Sequence, residues 1–157
     1  MTEEKLTIDY QHYSGIEELP ASDRELAEAA VNAMKASYAP YSRFNVGAAV
    51  RLEDGTVVIG ANQENAAFPS GLCAERTALF SAGASYPRKA VVEIAVAGGA
   101  GMTLNAEPVP PCGACRQVMM ETQVRAGRNM SILLVGADSV YKFSRVQDLM
   151  PFSFEKL

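Results

Sequence analysis

All three cysteines of the 157-residue chain fall in two short motifs, Cys73-Ala74-Glu75 and Pro111-Cys112-Gly113-Ala114-Cys115. This placement constrains the fold more than any other feature of the sequence. An odd number of thiols makes a poor disulfide framework, whereas three thiolates suit a single metal ion in a reducing compartment. The chain must then bring two segments that are distant in sequence to one point. A Cys-x-x-Cys at a helix start turns both sulfurs the same way. A third thiolate from a second helix start leaves one position of a tetrahedral zinc open, which marks a catalytic ion and not a structural one.

Glu75 lies two residues past its cysteine, one step into the expected helix. From there a carboxylate can move protons beside the metal without being forced to ligate it. Three thiolates around Zn²⁺ leave the site with net charge −1, which weakens the ion's power to acidify water. Two expected helix N-termini, each equivalent to about half a positive charge, oppose that effect. Arg76 and Arg116 each follow a motif directly and can donate hydrogen bonds to sulfur, with Arg76 expected to matter more. Other readings of the cysteines exist. A redox pair needs no third cysteine and no Cys-x-Glu, and a closed structural knuckle needs a fourth ligand. The one histidine, His12, lies in the N-terminal segment, far from both motifs.

The remaining chain reads as one α/β domain. Residues 1–20 form an N-terminal arm ending at Pro20, and 21–157 form a single domain that includes the C-terminal tail. Ser22-Asp23-Arg24-Glu25 has the form of a capping box. Leu26, Ala29, Ala30, Ala33 and Met34 then recur at helical spacing, predicting a helix to Ser37. Val46–Leu52 and Thr56–Ala61 read as strands about a Glu53-Asp54-Gly55 turn, a hairpin signal. Helices are expected over 74–84 and 112–124, and strands over 91–97, 131–135 and 141–144. A loop is expected from Gly98-Gly99, and a short helix over 146–150. The order predicts a three-layer α/β/α fold with a mostly five-stranded mixed sheet, parallel where a helix joins two strands.

Composition narrows the partners. Hydrophobic residues make up 48% and charged residues 20%, the balance of a packed domain. The net charge is −4 and no Lys/Arg cluster appears, which argues against a nucleic acid polymer and for a small-molecule substrate. The opening MTEEKLTIDYQ lacks the basic start and apolar run of a signal peptide, and no stretch reaches the roughly 18 apolar residues of a membrane span. A cytoplasmic location with no membrane partner is the expectation.

The Cys-x-Glu and Pro-Cys-x-x-Cys pair is the three-cysteine form of the zinc-deaminase signature. With Tyr41-Ser42-Arg43-Phe44-Asn45-Val46-Gly47-Ala48-Ala49 and Asn62-Gln63-Glu64-Asn65-Ala66 preceding it in order, the chain resembles the cytidine deaminase family from about Tyr38 to Phe154. The resemblance is to the small, three-cysteine, homotetrameric kind. It implies one Zn²⁺ per chain on Cys73, Cys112 and Cys115, with Glu75 as proton shuttle. It implies that Asn62 and Glu64 grip the ribose, chiefly by its 3′-hydroxyl, and that Phe44 lines the base pocket. The Ala74 N–H would face the pyrimidine O2, and Phe154 would reach a neighbouring subunit's site, so that sites are completed across subunits. The reaction implied is hydrolytic deamination of free cytidine and 2′-deoxycytidine in pyrimidine salvage. The same zinc chemistry on an aminonucleoside antibiotic or on a base in a polynucleotide, and a non-catalytic zinc or nucleoside binder, are the alternatives. Three departures from the family pattern stand out: Phe68 where tyrosine is common, the long arm, and the Glu155-Lys156-Leu157 tail.

Overall fold

The computed structural model describes residues 1–155, so Lys156 and Leu157 of the expected tail lie outside the described residues. Strands β1 (Gln11–Tyr13), β2 (Phe44–Leu52), β3 (Val57–Ala61), β4 (Val91–Ala100), β5 (Ser131–Val135) and β6 (Val140–Phe143) form one sheet in the order β1-β6-β5-β4-β2-β3. Only β4 and β5 run parallel. Helices α1 (Ala21–Ala33), α2 (Ala74–Ser85) and α3 (Gly113–Ala126) complete the three layers, as the sequence predicts.

Strand alternation sorts the core. Val50, Leu52, Ile94, Val96, Ile132 and Leu134 face α2 and α3, while Ala49, Ala95, Ala97, Leu133 and Val135 face α1. Successive strand residues point to opposite faces, so fully buried strands read as continuous apolar runs. The alanines toward α1 let that helix lie close. The larger side chains opposite them, with Met119 and Met120 of α3, fill the other layer.

Three elements differ from the sequence expectation. The sheet has six strands, because part of the arm pairs antiparallel with β6, His12 opposite Tyr141. Tyr10 and His12 pack on the Tyr141 ring at 5.4 and 5.1 Å between centroids. The capping box does not form: α1 starts at Ala21 with Pro20 as its cap and no side-chain capping bond. Asp23 is instead held by Lys142 at 2.5 Å. Gly98 and Gly99 are not loop but the end of β4, opposite Val46 and Asn45. A side chain at Gly99 would place Cβ 1.7 Å from the Thr103 carbonyl, so glycine lets the chain fold back on the strand it has just left.

Candidate metal and nucleoside site

Two helix starts and one strand end build the site. Cys73 is the N-cap of α2 and Cys112 the N-cap of α3, both extended and neither using its sulfur to cap. Cys115 follows one turn into α3, fully buried. The sulfurs converge: Cys73 to Cys112 is 3.9 Å, Cys112 to Cys115 is 3.5 Å, and all three lie within 4.8 Å of one another.

The donor set fits zinc. Four sulfurs about 2.3 Å from a tetrahedral ion would be spaced by about 3.8 Å, close to the two separations observed. Among the described residues no fourth His, Cys, Asp or Glu joins this group, so it is not a closed four-ligand set.

Arg76 extends a guanidinium nitrogen to 3.9 Å from the Cys73 sulfur, while its Nε is buried without a hydrogen-bond partner. The Cys115 thiol and Arg76 hold the Cys73 thiol down at about 5, against the opposing effect of burial. The bond to Cys73, with burial and the Glu75 charge, pushes Cys115 up. Arg116 does not serve the sulfurs. It donates to the carbonyls of Pro111 at 2.9 Å and Leu149 at 2.6 Å, tying the C-terminal segment to the start of α3.

Glu75 is 4% exposed. Burial pushes its carboxyl above the usual range, and the neighbouring Cys73 charge adds to that. A carboxylate biased toward holding a proton, beside a metal-ligating cluster, has the property of a general acid and base.

Cys73, Cys112 and Glu75 line a cavity of about 640 Å³, with Cys115 buried next to them, within the range for small-molecule sites. Its mouth carries Asn62 and Glu64 from the end of β3, and Tyr41, Ser42 and Phe68 from adjoining loops. Asn62 bridges backbone, accepting from Val46 N–H at 2.8 Å and donating to the Phe44 carbonyl at 2.9 Å. Glu64 accepts from the Tyr41 and Ser42 amides and the Ser42 hydroxyl; the hydroxyl is the main reason its carboxyl sits below the usual range. Ala74 opens α2, where the first N–H groups have no partner within the helix.

Three residues expected to bind substrate, Ala74, Phe44 and Phe154, are not among the groups that line the cavity, although Cys73 and Glu75 on either side of Ala74 are. Phe44 is half-buried and approaches Gly98. Phe154 is 63% exposed, with its carbonyl held by Gln117 at 2.9 Å, and neither ring is among the lining groups. The apolar wall of Val46, Leu72, Val96, Val109 and Pro110 had no signal in the motifs. Prolines 108, 110 and 111 read only as a loop, and it is the fold that brings Val109 and Pro110 to the same cavity as Val46 of β2.

The chain matches the model for the cytidine and deoxycytidylate deaminase zinc-binding region over residues 20–128. It is 53% identical over 100 residues to the cytidine deaminase of Halalkalibacterium halodurans, covering 63% of this chain and 71% of that protein. To the cytidine deaminase of Sporosarcina psychrophila it is 40% identical over 126 residues, covering 79% and 85%. The crystal structure of cytidine deaminase from Burkholderia pseudomallei superposes with a TM-score of 0.71 at 43% identity, covering 83% of this chain and 97% of that one.

Proposed function

The chain belongs to the cytidine and deoxycytidylate deaminase zinc-binding family, and from that premise we propose that it hydrolyses free cytidine and 2′-deoxycytidine to uridine and 2′-deoxyuridine plus ammonia, as a pyrimidine salvage enzyme. The observation that carries this reading is Glu75, buried beside three convergent thiols on the floor of a nucleoside-sized cavity. Cys73, Cys112 and Cys115 would hold one zinc per chain, which would supply Lewis acidity toward the attacking water.

The chain's own groups do the rest. Glu75 takes a proton from the attacking water and delivers it to ring N3, which makes C4 electrophilic. The water oxygen adds at C4 as a hydroxyl, and Glu75 takes that hydroxyl's proton and carries it to the exocyclic amine, leaving the C4 carbonyl. The C4–N bond then breaks and ammonia leaves. The Ala74 N–H, at the positive end of α2, meets the pyrimidine O2. Arg76 offsets the thiolate charge, and Asn62 and Glu64 hold the 3′-hydroxyl.

Phe154 fits a site on a second subunit better than its own, since it lies exposed and outside its own chain's cavity. A homotetramer with sites completed across subunits, and a single domain over 21–157, follow the same reading. Sedimentation of the protein tests the assembly at about four times the 16.8 kDa chain mass. No helix among the described residues is long and apolar enough to cross a membrane.

Ultraviolet absorbance of zinc-loaded protein with cytidine, 2′-deoxycytidine and cytosine in parallel tests the function. Loss of the cytosine chromophore with ammonia release is expected for both nucleosides and not for the bare base. Three unchanged spectra, with zinc bound, would overturn it.

A further inference from the structure

Glu64 faces the cavity with most of its hydrogen-bonding capacity already taken. Its Oε2 accepts from the Tyr41 amide at 2.8 Å and the Ser42 amide at 3.3 Å, and its Oε1 accepts from the Ser42 hydroxyl at 2.5 Å. A carboxylate offers about four acceptor positions. The turn therefore fills three of them and leaves one, on Oε1.

Of the two partners of the Ser42 hydroxyl, only Glu64 can take its proton. The Ser42 Oγ accepts from the Phe44 N–H at 3.0 Å, and a backbone amide can only donate. The hydroxyl hydrogen is thereby directed at Glu64. That bond keeps the Glu64 carboxyl below its ordinary range, so the group stays ionised and purely accepting. Asn62 beside it has Oδ1 and one N–H of Nδ2 engaged with strand backbone. A second N–H of Nδ2 remains. One free donor and one free acceptor, on two residues that line the same cavity, match a single hydroxyl group, which accepts one bond and donates one.

We propose that Ser42 is a positioning residue for sugar recognition: locked between the Phe44 amide and Glu64, it sets the carboxylate so that one acceptor position faces the sugar. This inference rests on the nucleoside reading above. It distinguishes Ser42 from an ordinary turn residue. Loss of a purely structural serine would affect every substrate alike, whereas loss of a residue acting through Glu64 weakens only the part of recognition that comes from the gripped hydroxyl.

The test compares cytidine with 3′-deoxycytidine in wild type, Ser42→Ala and Ser42→Thr, all zinc-loaded. A hydrogen bond to a charged group makes a missing 3′-hydroxyl cost wild type about 10- to 100-fold in kcat/KM. In Ser42→Ala that gap narrows by about tenfold, with the cytidine KM raised and kcat within about twofold, and Ser42→Thr restores the wild-type gap. Binding of uridine and 3′-deoxyuridine gives the same comparison without turnover. A gap unchanged in Ser42→Ala, by rates or by binding, overturns the role of Ser42 while leaving the deaminase reading intact. A wild type that leaves cytidine unconverted overturns that reading, and the role of Ser42 with it.

Discussion

Two side chains at the cavity floor have separable tasks. In the proposed reaction Glu75 moves protons, and it has no place among the three sulfurs, so Glu75→Gln is expected to keep its zinc while kcat falls about a thousandfold. Metal content and turnover measured on one preparation check this, and substantial residual activity would remove Glu75 from the role. Arg76 reaches the Cys73 sulfur from one side. Its replacement by Gln makes the site more negative, so the attacking water is harder to deprotonate. Zinc affinity is expected to fall about tenfold, and the acid limb of the pH–rate profile to move to higher pH. An unchanged profile and affinity would sink the idea. Arg116 offers the contrast. It follows its motif as Arg76 does, yet the fold spends it on the Pro111 and Leu149 carbonyls, and adjacency in sequence could not have told the two apart.

At the scale of elements, the position of α2 decides where Cys73 and Glu75 sit, and Gly60 on β3 decides how close α2 can come. A Cβ at Gly60 would lie 2.3 Å from the Ala78 nitrogen and 2.6 Å from the Ala74 carbonyl. Both atoms are helix backbone and cannot swing aside. Gly60→Ala is therefore expected to cost about 3 kcal/mol or more in stability and to weaken zinc binding, because it pushes away the first turn of α2. Denaturant melts and zinc titration check the two effects; a variant with wild-type values on both would refute it. This coupling had no counterpart in the motifs, since a glycine in a strand announces close approach without naming what approaches. The elements themselves were legible where apolar period and turn chemistry agreed, as in the hairpin around Asp54-Gly55 and in helices α2 and α3. They were misread at the start of α1 and at the end of β4. Ser22 and Glu25 form no capping box because α1 already starts at Ala21 behind Pro20, and Gly98-Gly99 stayed in the sheet because β2 continues far enough to pair with them.

Across the whole molecule, one charged group joins several elements. Lys142 on β6 contacts Asp23 of α1 at 2.5 Å and Glu93 of β4 at 3.6 Å, and Glu93 is met in turn by Arg51 of β2 and Ser131 of β5. Burial lowers the Lys142 pKa, but the Asp23 bond and both carboxylate charges outweigh it and raise it above its ordinary value. A cation whose folded pKa is raised stabilises fully below its unfolded pKa, and the contribution disappears as pH climbs through the folded one. The network's support is thus expected to be constant at neutral pH and to fade above about pH 10.4. Lys142→Met should cost about 2 to 3 kcal/mol at pH 7 by stranding Asp23, read as a melting point lower by about 4 to 10 °C, with the deficit shrinking in alkali. A deficit that stays constant with pH would exclude the ionic origin. None of these pairings shows in the sequence, because each joins residues far apart along the chain. The same holds for the arm, whose pairing partner is the last strand of the sheet. The arm is made before every other strand described here, so a chain under synthesis carries β1 unpaired until β6 emerges. Until then Tyr10 and His12 have no Tyr141 ring to pack on, and the strand edge they belong to is open to misassociation while the chain is still being made.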